Sequence, residues 1–261
     1  MKLIEAECEI NDLAEYTDFV RKCAKEKPRV LLWFRGQRNE KWALAPSLLR
    51  EPYVSTPEDI ENSLTVLFAS YGPAYCRDFP SAWIDRQVLM QHHNCPTRLL
   101  DWSESALTAL YFAVAKLGKG EEGKDDNVPA SVYVLDPRAL AAVCEIESLR
   151  RGLSTAQMLR GSQAEGVFRE GVHAPFPFIP SYIDARIAAQ KGRFTLHGYA
   201  PEGLHGLPAK IVRRVRVPAA AKEELFWRLK ECGITETTLF PDLDALAREL
   251  RCHITSGEDV G

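Results

Sequence analysis

The sequence predicts an α+β fold, a single domain in which a mixed central sheet is flanked by helices. Three observations carry this expectation. Strand-like segments near 30–35, 130–135 and 210–217 are separated by helical patterns and long loops. No internal repeat, low-complexity block or Pro/Ser linker divides the chain. The 261 residues are 46% hydrophobic and 26% charged, which supplies enough apolar surface for a large core.

The elements follow in order. Ile10 to Lys25 reads as an amphipathic helix with Leu13, Tyr16, Phe19, Val20 and Cys23 on one side, capped by Asn11 or Asp12. Pro28 stops it, and the apolar run from Arg29 to Arg35 reads as a strand buried on both faces. Thr56-Pro57-Glu58-Asp59 is a helix start, with a hydroxyl cap, a first-turn proline and acids that complement the dipole. A further helix is expected from Ser81 to about His92, and another from Glu104 to Leu117 with Ser103 as its cap.

A charged loop, 118–127, leads into a strand at Ala130–Leu135. Periodicity is weak over 141–175, and Pro175, Pro177 and Pro180 then impose an extended stretch. Lys210 to Val217 alternates apolar and basic residues, as a half-exposed strand does. A helix from about Ala219 to Cys232 closes on Gly233, and the last runs from about Pro241 to Leu250 before a loose tail.

Composition narrows the function classes. The net charge of −3 excludes bulk electrostatic binding to nucleic acid and leaves room only for a local basic groove. No stretch approaches the ~20 apolar residues of a membrane span. Acids occupy the N-terminal MKLIEAECEI where a secretory apolar region would sit, and seven scattered cysteines form no CxxC pair. A reducing cytoplasm, with the thiols mostly in the core, is the expectation.

Among short motifs, Gly118–Gly123 matches GxGxxG but follows a helix and runs into acids, so it reads as a turn. Adjacent helical residues such as His92 and His93 point about 100° apart and make a poor joint metal site, so no metal is expected. Cys95 with a histidine lacks an orienting acid. Two denser patches remain. Arg35-Gly36-Gln37 ends a strand, where a guanidinium forks onto a phosphate and glycine allows close backbone approach. Gln91 to Ser103 concentrates Gln, His, Thr, Arg, Asp, Trp and Ser before an Ala/Leu-rich helix whose start offers free amides to an anion. The plainer alternative is a polar network in which Arg98 pairs with Asp101 and Ser103 caps the helix.

Several blocks together resemble the FRG-domain family. These are Phe34-Arg35-Gly36-Gln37, Trp42, Pro46–Arg50, Gln91-His92, Pro96–Trp102, Ala109–Ala113, Ala185–Thr195 and Leu239–Leu243, with Asn94-Cys95 departing from the usual glycine after histidine. The resemblance implies one FRG domain over 1–261, with a core of about 25–250. A weaker resemblance, to the NAD-dependent ADP-ribosyltransferases, rests on Arg35-Gly36 ending an early strand and on Ser103 and Ser105 before the Ala/Phe-rich helix. It implies an ADP-ribosyltransferase-like fold and a candidate ADP-ribosyltransferase or NAD glycohydrolase, serving in bacterial defence or toxicity.

In that scheme NAD is the substrate and Arg35 holds its diphosphate or ribose. Ser103 or Ser105 orders the nicotinamide side, and Tyr111 or Phe112 lines it. Gln190, with Phe194 and Thr195, stands where a glutamate is usual, so Asp101 or Glu104 would supply the carboxylate. Gly36, Gln37, Gln91, His92, Thr97 and Arg98 complete the expected ligand-binding set, and the macromolecular acceptor stays open. The rival reading is a non-catalytic nucleotide or nucleic-acid binding module. Its basic cluster would be Arg213, Arg214 and Arg216 with Lys210 and Arg193, at least two of these arginines facing solvent.

Overall fold

The computed structural model describes residues 4–115, 127–143, 175–181, 184–200, 204, 207–208 and 210–256. Its helices are α1 (Leu13–Glu26), α2 (Pro57–Tyr71), α3 (Trp83–His92), α4 (Ala106–Val114), α5 (Pro137–Val143), α6 (Ala185–Ala189), α7 (Lys222–Glu231), α8 (Glu236–Leu239) and α9 (Leu243–Ser256). Its strands are β1 (Trp33–Gln37), β2 (Leu99–Ser103), β3 (Ala130–Leu135), β4 (Phe176–Phe178), β5 (Gly192–Leu196) and β6 (Val212–Val217). They form one sheet of order β4-β5-β2-β1-β3-β6, and the fold is α+β.

The pairing corrects one expectation. The sheet is not mixed: every pair of named strands is antiparallel, and a lone Glu9–Arg216 bridge is the parallel contact. β1 follows β3 along its whole length, from Trp33 opposite Leu135 to Gln37 opposite Ser131. β2 follows β5 likewise, from Leu99 opposite Leu196 to Ser103 opposite Gly192. Between β1 and β2, however, the register holds only at Phe34–Ser103. Two three-stranded halves therefore meet at one residue pair and splay apart beyond it.

Local chemistry explains the flanking elements. Asp12 Oδ1 accepts the Glu15 amide at 2.8 Å, which settles the α1 cap, and Tyr16, Phe19 and Cys23 face the core at helical spacing. Its Tyr16 hydroxyl donates to the Ala106 carbonyl at 2.7 Å, tying α1 to the start of α4. Gly233, at φ +77°, closes α7: its amide donates to Lys230 O and that of Ile234 to Leu229 O, the paired bonds of a left-handed C-terminal cap.

Several boundaries shift from expectation, among them the end of the last helix, which runs on to Ser256. Arg29 turns at φ +64°, so β1 begins at Trp33 and carries Arg35, Gly36 and Gln37 within the strand. Ser103 ends β2 rather than capping a helix. The cap of α4 is Ser105, whose hydroxyl accepts the Thr108 amide. Leu243 starts α9, with Asp242 Oδ1 accepting the Ala245 amide at 2.7 Å. Most of 118–127, with its GxGxxG, most of 141–175 and the tail beyond 256 lie outside the described residues.

The sheet buries apolar clusters on both faces. Trp33, Leu99, Tyr133, Phe178, Phe194 and Val212 belong to one, and Phe34, Leu110, Val132, Val215 and Leu225 to the other. No helix among the described residues is long and apolar enough to cross a membrane. Cys8, Cys23, Cys76, Cys95 and Cys232 are free thiols.

Candidate functional site

The splay between β1 and β2 opens a cleft of about 350 Å³. Its wall includes Phe34, Arg35, Gly36 and Gln37 of β1, Asp101, Trp102 and Ser103 of β2, and Gln91 and His92 at the end of α3. Gln190, Gly192 and Phe194 close the far side, with Phe112 of α4. Five arginines line it, at 35, 38, 50, 186 and 193, against one lining carboxylate, Asp101. Arg193 is paired with Glu104 outside the lining and Arg35 stands beside Asp101, whereas Arg50 has no carboxylate partner among the described residues.

Arg35 is the centre of that charge. Its Nη1 donates to the Asp101 carbonyl at 2.8 Å and stands 3.6 Å from Asp101 Oδ2. Burial holds its pKa below the usual arginine value, and Asp101 only partly offsets this. The buried Nε has no hydrogen-bond partner. Arg50 lies close by, its Nε donating to the Ala45 carbonyl at 2.8 Å and its Nη2 to the same oxygen. It makes no ion pair with a described residue; burial first, then Arg35, brings its pKa down to about 10. Both remain cations at neutral pH, poorly solvated and mutually repelling, an arrangement that an anion between them relieves.

The other groups are fixed by short bonds. Gln91 Nε2 donates to Asp101 Oδ2 at 2.7 Å, while its Oε1 accepts the Thr97 hydroxyl at 2.5 Å. Asp101 keeps half its side chain exposed, as a group facing a ligand would. The Ser103 hydroxyl accepts the Ser105 amide at 2.9 Å and donates to the Gln190 carbonyl at 2.6 Å. Gln190 Nε2 in turn donates to the Leu239 carbonyl at 3.1 Å. His92 Nδ1 meets Asp184 Oδ2 at 2.8 Å, and Asp184 also caps α6 through the Ile187 amide.

Gly36 has a packing reason that the sequence reading assigned to a ligand. A Cβ there would stand 1.9 Å from the Ala109 carbonyl and 2.6 Å from the Ala113 nitrogen, so α4 crosses directly over β1. That close approach places Phe112 on the cleft wall.

Of the residues singled out from sequence, the structure brings Arg35, Gly36, Gln37, Gln91, His92, Asp101, Ser103, Phe112, Gln190 and Phe194 to one cleft. Others stand apart from it. Tyr111 is buried against Phe226 in the core. Arg98, expected to pair with Asp101, instead clasps buried Glu61 at 2.9 and 3.0 Å and donates to the His197 carbonyl. Thr195 is buried, accepting Trp102 Nε1 at 3.0 Å, and Thr97 acts through Gln91. Glu104 pairs with Arg193 at 2.7 Å, and Ser105 caps α4.

The strand arginines are not the solvent-facing pair that alternation suggested. Arg214 is buried and bound to Ser131 and Glu40, Arg213 pairs with Glu7 and Glu26, and Arg216 with Glu9 and Glu40. Sequence reasoning quoted Trp42, Arg50 and Arg186 within the family-like blocks but gave them no place in the site, and it missed Asp184. Arg50 was within reach, since it closes the Pro46–Arg50 block, whereas Asp184 is 92 positions from the histidine it holds.

Residues 31–122 match the family model of the FRG domain, and the chain carries an FRG domain over that stretch. No curated protein and no solved structure gives a significant match. The matched stretch contains Arg35, Arg50, Gln91, His92 and Asp101, while Asp184, Gln190 and Phe194 come from beyond it.

Proposed function

We propose that the cleft binds a dinucleotide of the NAD type through its diphosphate and acts on it as an ADP-ribosyltransferase or NAD glycohydrolase. The observation that carries this reading is the pair of crowded arginines, Arg35 and Arg50, on a wall with five arginines and one carboxylate. A diphosphate supplies the charge they lack, and each guanidinium presents a planar fork that matches phosphate oxygens. Trp42 and Phe112, the less buried aromatic rings of the wall, offer flat apolar surface for the base and the nicotinamide.

The chemical role falls to Asp101. Breaking a nicotinamide–ribose bond develops positive charge on the sugar, which an exposed carboxylate stabilises and the Gln190 amide cannot. Gln91 holds that carboxylate from one side and Arg35 from the other, which fixes its position. A role in bacterial defence or toxicity would follow from NAD consumption. Incubation of the protein with NAD, followed by assay of nicotinamide release and ADP-ribose transfer, tests the reading. Release lost in Asp101→Asn supports it; a wild type that neither binds nor consumes NAD ends it.

A further inference from the structure

Outside the arginine pair, the cleft holds a second chemical device. His92 lines the wall at the end of α3, and its ring is anchored through Nδ1 to Asp184 Oδ2 at 2.8 Å. Asp184 is itself immobilised, because its other oxygen caps α6 at 2.7 Å. An ionised carboxylate only accepts, so Nδ1 carries the proton and Nε2 keeps its lone pair. No described residue binds Nε2. A cleft-lining histidine oriented by an acid through one ring nitrogen, with no described partner on the other, is the arrangement of a general base.

We infer that His92, oriented by Asp184, is the general base that takes the proton from a hydroxyl or water attacking the substrate bound in this cleft. The inference rests on the reading of the site as one that cleaves NAD and goes beyond it by assigning the acceptor class. As the bond from ribose C1′ to the nicotinamide nitrogen breaks, its electron pair leaves with neutral nicotinamide. The acceptor oxygen bonds to C1′, and its proton passes to His92 Nε2 and then to solvent. A carboxylate acceptor has no proton to lose, and a guanidinium holds its proton too tightly for an imidazole. The base therefore selects oxygen nucleophiles that carry a proton, which are alcohols or water.

The surroundings suit a base that works at neutral pH. Burial lowers the His92 pKa, with Arg186 and His93 acting in the same direction and Asp184 and Asp242 opposing them. Arg186 also donates to the His92 carbonyl at 3.4 Å while lying over the Phe240 ring, which holds the end of α3 against α6. The ring of His93 stands edge-on to that of His92 at 4.8 Å.

The test measures nicotinamide release against pH for wild type, His92→Gln and Asp184→Asn, with ADP-ribose affinity by calorimetry as a check on the folded site. We expect His92→Gln to lower kcat ~100-fold or more and to lose the acid limb of the profile. Its ADP-ribose Kd should stay within about threefold of wild type. Asp184→Asn should lower kcat by ~10-fold and move that limb to lower pH. If wild type consumes NAD while His92→Gln keeps its kcat and pH profile, the base assignment fails and the NAD reading stands. A wild type that binds ADP-ribose but releases no nicotinamide also overturns the assignment, whereas absence of any binding overturns the NAD reading itself.

Discussion

Arg35 donates to the main-chain carbonyl of Asp101 at 2.8 Å, nearer than it stands to the carboxylate of the same residue at 3.6 Å. The guanidinium thus satisfies a β2 carbonyl next to the point where the β1–β2 ladder stops and bridges the two strands where the cleft opens. Arg35→Lys keeps the charge but loses the fork. ADP-ribose binding should weaken ~10–100-fold, measured by calorimetry, with a change of only a few degrees in Tm.

Gly36 bears on stability rather than on the ligand directly. Its missing Cβ is the space occupied by the Ala109 carbonyl, which is backbone and cannot turn aside. Gly36→Ala should cost about 3 kcal/mol or more, read as a drop in the urea midpoint. Gly192→Ala should cost less, since the nearest atom there is an Ile187 side-chain carbon at 3.1 Å.

Residues 98 and 101 stand three positions apart and should separate cleanly. Arg98 is buried against Glu61, with Tyr199 donating to the same carboxylate at 2.6 Å. Arg98→Ala leaves an uncompensated buried acid and should cost roughly 3–5 kcal/mol in thermal or urea unfolding. Asp101→Asn, at a half-exposed side chain, should leave Tm within a few degrees and abolish most nicotinamide release.

These two residues also show what the sequence reveals. The local signals were plain: the Asp12 cap, the first-turn Pro57, the β3 limits and the Gly233 closure all follow from short-range chemistry that a linear reading captures. The Arg35 and Asp101 patches were visible because polar groups crowd next to buried segments. Partners were harder. Arg98 and Asp101 look like an ion pair along the chain, but alternation within β2 sends neighbours to opposite faces, and Arg98, just before the strand, finds Glu61 from α2. The strand arginines misled for a similar reason: acids from the N-terminal segment, α1 and the β1–α2 connection cover them, at separations no periodicity encodes.

A pH dependence should follow from His197. It is fully buried beside Thr195, which accepts from Trp102 Nε1 and whose hydroxyl can donate to His197 Nε2 at 2.9 Å. Burial, then Arg98 and Arg35, push its pKa down from 6.5 to about 3. Between those values the unfolded chain binds more protons than the native one, so stability is full above pH 6.5 and falls as pH drops toward 3. At pH 5 the loss should be roughly 2 kcal/mol relative to pH 7. Urea titrations at both pH values would measure it, and His197→Gln should remove that share of the slope.

In the proposed function, Arg35 and Arg50 together hold one diphosphate. Calorimetric titration of ADP-ribose into wild type and into the Arg35→Ala/Arg50→Ala variant, both shown folded by their melting curves, tests it most directly. Wild type should bind saturably, the variant at least ~100-fold more weakly, and affinity should fall as salt rises. Equal affinity in the two proteins, or no binding to wild type at low salt, would contradict it.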